Sequence, residues 1–138
     1  MKLKIIPIGN SKEDIKTRDK IISDFYYEWK RSNPTQRLFN IDLKDYINIR
    51  HISIIETVEH AARTYLSTLA VLQLDSILTM AKKVRIVNVK PKDKNQNQFE
   101  KMIKMEYELV GIGKVSLIVG VKRSNKEKVQ YCITAIKT

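Results

Sequence analysis

Hydrophobic and polar positions alternate most cleanly near the C-terminus, in the run GKVSLIVGVKRSNKEKVQYCITAI from Gly113 to Ile136. Val, Ile, Leu and Tyr recur there with a period of two, and the polar run SNKEK interrupts them. Successive strand residues face opposite sides, so this pattern predicts a β-hairpin. Pairing Val121 with Tyr131, Val119 with Ile133 and Leu117 with Ala135 makes one face wholly apolar. The other face then carries Ser116, Ile118, Gly120 and Lys122 opposite Ile136, Thr134, Cys132 and Gln130. That register needs an odd loop, such as Asn125, Lys126 and Glu127. Upstream, Val84 to Val89 reads as a strand ended by Pro91, and PKDKNQNQ as a polar, mobile loop. From Phe99 to Val110, apolar Ile103, Met105, Tyr107 and Leu109 alternate with charged Lys104, Glu106 and Glu108, as in a half-exposed strand.

The first part of the chain has a helical period instead. Lys2 to Ile8 reads as a short strand or extended arm. Ser11 can cap a helix from Lys12 to about Arg31, with Glu13 and Asp14 at the positive end of its dipole. Ile15, Ile22, Phe25, Tyr26 and Trp29 form its stripe, and Ser32-Asn33-Pro34 stops it. The aromatic cluster suits base stacking by composition, but its spacing matches a buried stripe, and core packing is the stronger reading. Thr35 to Asp45 is a connector, and Tyr46 to Ile52 a short strand or an extended approach to the next helix. Ser53 to Glu56 has the capping-box pattern, opening a helical zone from Ile54 to about Lys83 with a break near Gln73 to Ser76. Glu56 with His60, and Glu59 with Arg63, make i,i+4 pairs on its polar face. The expected fold is therefore α+β in one domain, residues 1–138. Helices in 1–83 pack on one face of a four-stranded antiparallel meander in 84–138.

Charge changes the picture more than composition does. The net charge is +11. Residues 1–81 hold 12 Lys/Arg against 10 Asp/Glu, whereas residues 82–138 hold 14 against 5. Excess cation on the sheet half points to a polyanion, nucleic acid first and RNA before DNA. A Lys-rich solubilising surface is the alternative, since Lys outnumbers Arg and recognises phosphate less specifically. Cys132 is the one cysteine, so no disulfide framework exists, and a buried, inert thiol in a reducing compartment is expected. The apolar run near Met1 is too short for a signal peptide, and Thr64 to Leu74 is too short to span a membrane. No membrane association and a cytoplasmic location are the expectations.

No metal-ligand spacing, P-loop, dinucleotide fingerprint or nucleophile elbow occurs, and no cofactor is expected. The remaining palette of His, Lys, Arg, Ser, Thr and Tyr suits RNA cleavage by transesterification. There the 2′-hydroxyl is the nucleophile, and the protein supplies a base and cations. His60 is the candidate titrating group, although pairing with Glu56 on a helix face explains it more simply. His51, at a helix entrance, reads as structural. Arg63, Arg85, Lys90, Lys122 and Arg123 are candidate phosphate ligands, and each taken singly also fits a solvated surface. Thr134 and Gln130, beside Lys122 on the semi-polar face, can position a phosphate or hydroxyl.

The block ETVEHAARTYLSTLAVLQLDSIL, followed by a sheet ending in KVSLIVGVKR and KVQYCITAI, resembles the barnase–EndoU–colicin–RelE nuclease superfold. The likeness is to its phage and mobile-element branch, over roughly residues 50–138. It implies helices preceding a four-stranded antiparallel sheet whose open face cuts RNA, often as a toxin. Its nearest matches to the superfold's active-site residues are His60 or Arg63 on the helix, Lys122 and Arg123 on the hairpin, and Thr134 on the last strand. The chain departs from branches that use a His–His or Lys–His pair. The resemblance implies a metal-independent endoribonuclease with catalytic His60, Arg63, Arg123 and Thr134. Nucleic-acid contacts fall to Arg85, Lys90, Lys122 and Gln130. A non-catalytic basic nucleic-acid-binding module, and an interaction or inhibitor protein with an acidic partner, remain as alternatives.

Overall fold

A computed structural model describes residues 5–136. The first helix starts as its sequence suggests. The Ser11 hydroxyl accepts from the Asp14 N–H at 3.1 Å, and α1 runs Lys12–Ser32. The expected arm at Lys2 to Ile8 falls partly outside the described residues, and Ile5–Ile8 form no strand. Residues Ile22, Tyr26 and Trp29 of α1 are buried, as the stripe requires.

The connector region contains two short strands, β1 (Arg37–Asn40) and β2 (Asp45–Asn48). The helical zone is three helices rather than two: α2 (His51–Ala61), α3 (Tyr65–Val71) and α4 (Leu74–Met80). One break falls near Gln73. The other, at Ala62–Thr64, has two causes. Thr64 caps α3 by accepting from the Ser67 N–H at 3.2 Å. The fully buried Arg18 also takes carbonyls at the end of α2, with Nε donating to Ala62 O at 2.8 Å. Its Nη1 donates to Pro7 O and Gly9 O, so this one side chain ties three segments together. Nor is Ser53 the cap of α2. It sits inside the first turn, where its hydroxyl accepts from the Arg50 N–H at 3.0 Å.

Four long strands follow: β3 (Lys82–Val87), β4 (Phe99–Leu109), β5 (Gly113–Lys122) and β6 (Lys128–Ile136). They form the expected antiparallel run, but the sheet is not a four-stranded meander. It has six strands in the order β1-β2-β6-β5-β4-β3, and β2 pairs parallel with β6 at Asn48 and Val129. The sheet is therefore mixed. Sequence periodicity missed β1 because a strand of four residues is too short to show a period, whereas β2 overlaps the stretch from Tyr46 read as a short strand or an extended approach. The sheet also curls. Asp42, in the turn after β1, accepts from the Lys83 N–H at 2.8 Å although β1 and β3 end opposite sides of the sheet. Buried Asn40 holds this closure by donating to Leu78 O and Ala81 O.

The hairpin register also differs from expectation. Leu117 faces Ile133, and Val115 faces Ala135. A bulge follows, because Ile118 pairs with Cys132 but Val119 pairs with Gln130, leaving Tyr131 as the extra residue. The loop is five residues, Arg123 to Glu127, closed by the Lys122 N–H donating to Glu127 O. The bulge exchanges two side chains. Gln130 turns into the core, and Tyr131 joins Phe99, Met102 and Val129 in a second cluster on the other face. The main core lies between the helices and Ile103, Met105, Val115, Leu117, Val119 and Ile133.

Candidate functional site

The outer face of the sheet meets α2 and the loop between β3 and β4 in a cleft of about 280 Å³. Two residues of α2, one turn apart, form its wall. Glu56 is 7% exposed, and its Oε2 lies 3.2 Å from Nε2 of His60, whose side chain is 42% exposed. A proton on Nε2 donates to that carboxylate and leaves Nδ1 as the acceptor. The opposite wall is the 88–98 loop, which is tightly turned. Asp93 O accepts from the Gln96 and Asn97 N–H groups, and Asp93 Oδ1 accepts from the Asn95 N–H. These turns aim the Asn95 amide at Glu56, with Nδ2 donating to Oε1 at 2.8 Å. Both oxygens of Glu56 are thereby held in fixed directions. Asn88, Lys90 and Gln96 line the same wall, while Ile118, Tyr131 and Cys132 form the floor.

The floor is electrostatically quiet. Burial, reinforced by the Glu56 carboxylate, pushes the Cys132 thiol up to about 12, which keeps it protonated and inert at neutral pH. Burial also raises the Tyr131 phenol, with Glu56 and Asp93 pushing the same way against a hydrogen bond to Gln96. Tyr131 therefore presents an O–H at neutral pH. Among the described residues no cluster of three or more His, Cys, Asp or Glu could hold a metal ion. No described helix is long and apolar enough to cross a membrane.

The expected site residues divide into three groups. His60 and Lys90 line the cleft. Thr134 lies on the same sheet face as Cys132, paired with Ser116, but outside the cleft lining. Arg63 is an exposed surface residue, its Nη2 2.7 Å from Glu59 Oε1. Arg123 is exposed on the β5–β6 turn, where its Nε donates to Asn97 O at 3.3 Å. Lys122 lies 3.7 Å from Glu127, and Arg85 is exposed on the edge strand β3. Gln130 is the correction. It was expected opposite Lys122 on the open face. It is 0% exposed, its Oε1 accepting from Tyr26 Oη at 2.8 Å and its Nε2 donating to Thr57 Oγ1 at 2.6 Å. Glu56 and Tyr131 of the cleft lining, and Asn95, which donates to Glu56, are among the residues that went unread as site residues. The Glu56–His60 spacing was visible, but nothing local marked which helix face would meet the loop.

No protein-family model, no curated protein and no solved structure matches the chain.

Proposed function

We propose that this protein is a metal-independent endoribonuclease domain that cleaves RNA in the cleft between α2 and the 88–98 loop. The observation that carries the reading is the His60–Glu56 pair at 3.2 Å in the lining of a cleft that also holds Lys90. Buried Glu56 orients the imidazole, and His60 Nδ1 takes the proton of the 2′-hydroxyl. The resulting alkoxide attacks the adjacent phosphorus. The bond to the 5′-oxygen breaks, and that oxygen takes a proton from water. A 2′,3′-cyclic phosphate and a 5′-hydroxyl result. The Lys90 ammonium offsets charge on the phosphorane, and the Tyr131 O–H donates to one of its oxygens. Thr134 and Arg123 flank the cleft and bind RNA beyond the scissile bond. The loose likeness to phage and mobile-element nucleases makes a toxin role part of this proposal, as is a cytoplasmic setting, which suits the single thiol.

The test is incubation with RNA in the presence of a chelator, comparing wild type with His60→Ala, Arg123→Ala and Thr134→Ala. Loss of about 100-fold or more in rate is expected for His60→Ala, with smaller losses for the other two. Intact RNA after incubation with folded wild type rejects the reading. A second reading, a non-catalytic RNA-binding module, is favoured by cations that lack partners. Lys83, Arg85, Lys90, Lys92, Lys94 and Lys101 have no carboxylate within 4.0 Å among the described residues. That module binds RNA uncut, with an affinity that falls steeply and linearly in log salt. A flat salt response rules it out.

A further inference from the structure

We propose that the free edge of β3, from Val84 to Val87, takes up an extended acidic segment of a partner protein as an added strand. β3 is the last strand of the sheet, paired with β4 on one side only. On its other side the one hydrogen bond among the described residues is from the Lys83 N–H to Asp42 Oδ2. Beyond that point the edge presents unpaired main-chain groups, which is the template strand addition uses. The register shift between Lys83 and Arg85 confines the pairing to the residues that follow it.

The side chains select the occupant. Val84 is 50% and Ile86 45% exposed, an unusual state for β-branched residues on a strand. Arg85 sits directly opposite Lys104 on β4, a cross-strand pair of like charges. Lys104 has Glu106 at 3.6 Å, whereas Arg85, Lys82 and Lys83 have no carboxylate within 4.0 Å among the described residues. A carboxylate delivered beside Arg85 by an added strand offsets that repulsion. Apolar residues at alternate positions of the same strand cover Ile86. A second copy of this chain is a poor occupant, since it brings Lys83 and Arg85 against themselves. RNA answers the charge but offers neither main-chain pairing nor apolar cover. The inference holds whether or not the cleft is catalytic.

The probe is a labelled peptide of about eight residues alternating Glu and Val, long enough to pair as a strand, titrated into the full chain by fluorescence anisotropy. Binding is expected, and a peptide N-methylated at alternate residues is expected to bind at least about tenfold more weakly. Arg85→Glu, at an exposed position, is expected to weaken binding by a similar factor, while His60→Ala leaves it unchanged. Equal binding of the N-methylated peptide overturns the proposal, because charge alone then suffices. Absent binding overturns it as well. So does displacement of the peptide by a uridine oligonucleotide whose own affinity falls with Arg85→Glu, or dimerisation of the free chain that Arg85→Glu abolishes.

Discussion

Gln130 is the residue whose placement has the largest consequence. Buried between Tyr26 and Thr57, it closes a polar triad linking α1, α2 and β6. Truncating it takes one partner from each of two buried hydroxyl groups, leaving them only their 3.3 Å contact with each other, and opens a void. Gln130→Ala is therefore expected to destabilise by about 3 kcal/mol, read as a shift in urea midpoint with unchanged slope. Thr134→Val, on the open face, is expected to stay within about 0.5 kcal/mol. Equal effects of the two would show that the Gln130 triad contributes nothing. Gly120 is constrained differently. A Cβ there would lie 2.6 Å from the ring of the fully buried Phe99. Gly120→Ala is expected to cost about 2 kcal/mol, and the double variant with Phe99→Leu to lose less than the two single changes together. Simple additivity in that cycle would remove the steric explanation.

Among the elements, the β1–β2 hairpin has the shortest ladder to the long strands, although Ile47 is buried in the main core. It joins the long strands through one ladder pair, Asn48 with Val129, and through polar contacts around it. Lys128 Nζ donates to Asp45 Oδ2 at 2.7 Å, and Asn48 Nδ2 donates to Lys128 O at 3.0 Å. Arg50, just past β2, forms an ion pair with Glu127 of the β5–β6 turn. The Arg50 guanidinium holds Glu127 below the usual carboxylate range, and the Lys128 ammonium does the same for Asp45. Both folded-state values lie below the unfolded ones. The stability they contribute is present above the ordinary carboxylate range and is lost as pH falls through the folded values. Both pairs are partly exposed, so solvent screening limits their joint contribution to about 1 kcal/mol. Between about pH 6 and pH 3, wild type is expected to lose that much more stability than an Asp45→Asn, Glu127→Gln double variant. Parallel urea curves for the two proteins across that range would count against the linkage.

At the scale of the whole molecule, the half of the chain with the excess cation, residues 82–138, also supplies the floor and one wall of the cleft. The helices pack against the inner face in the main core, and the cleft opens where the outer face meets α2 and the 88–98 loop. Under the proposed reading, the positive field of residues 82–138 acts over about a Debye length and draws RNA toward the cleft before any specific contact forms. The cleft itself depends on parts far apart in the chain. Glu56 and Asn95 are 39 residues apart, and Arg18 bonds to Ala62 across 44 residues. Curling of the sheet, sealed by Asn40 and Asp42, ties the β1–β2 turn to the start of β3 and leaves the β3 edge beyond Lys83 open.

What the sequence determined by itself is local. The Ser11 cap, the stripe of α1, the alternation of β4 and the two i,i+4 pairs that start on α2 all rest on neighbours within a turn or a strand. Each of these stands in the structure much as the pattern reads. The four long strands were legible for the same reason, and so was the concentration of positive charge upon them. Tertiary structure decided the rest. The bulge at Tyr131 has almost no local signature. It slips one strand by one residue and sends Gln130 inward and Tyr131 outward, so one of the expected phosphate contacts became core and a core residue became the cleft floor. The parallel pairing of β2 with β6 and the burial of Arg18 follow from where distant segments lie, as does the closure of the 88–98 loop onto Glu56. A polar side chain is buried only when partners across the fold satisfy it, and those partners are invisible until the chain is folded.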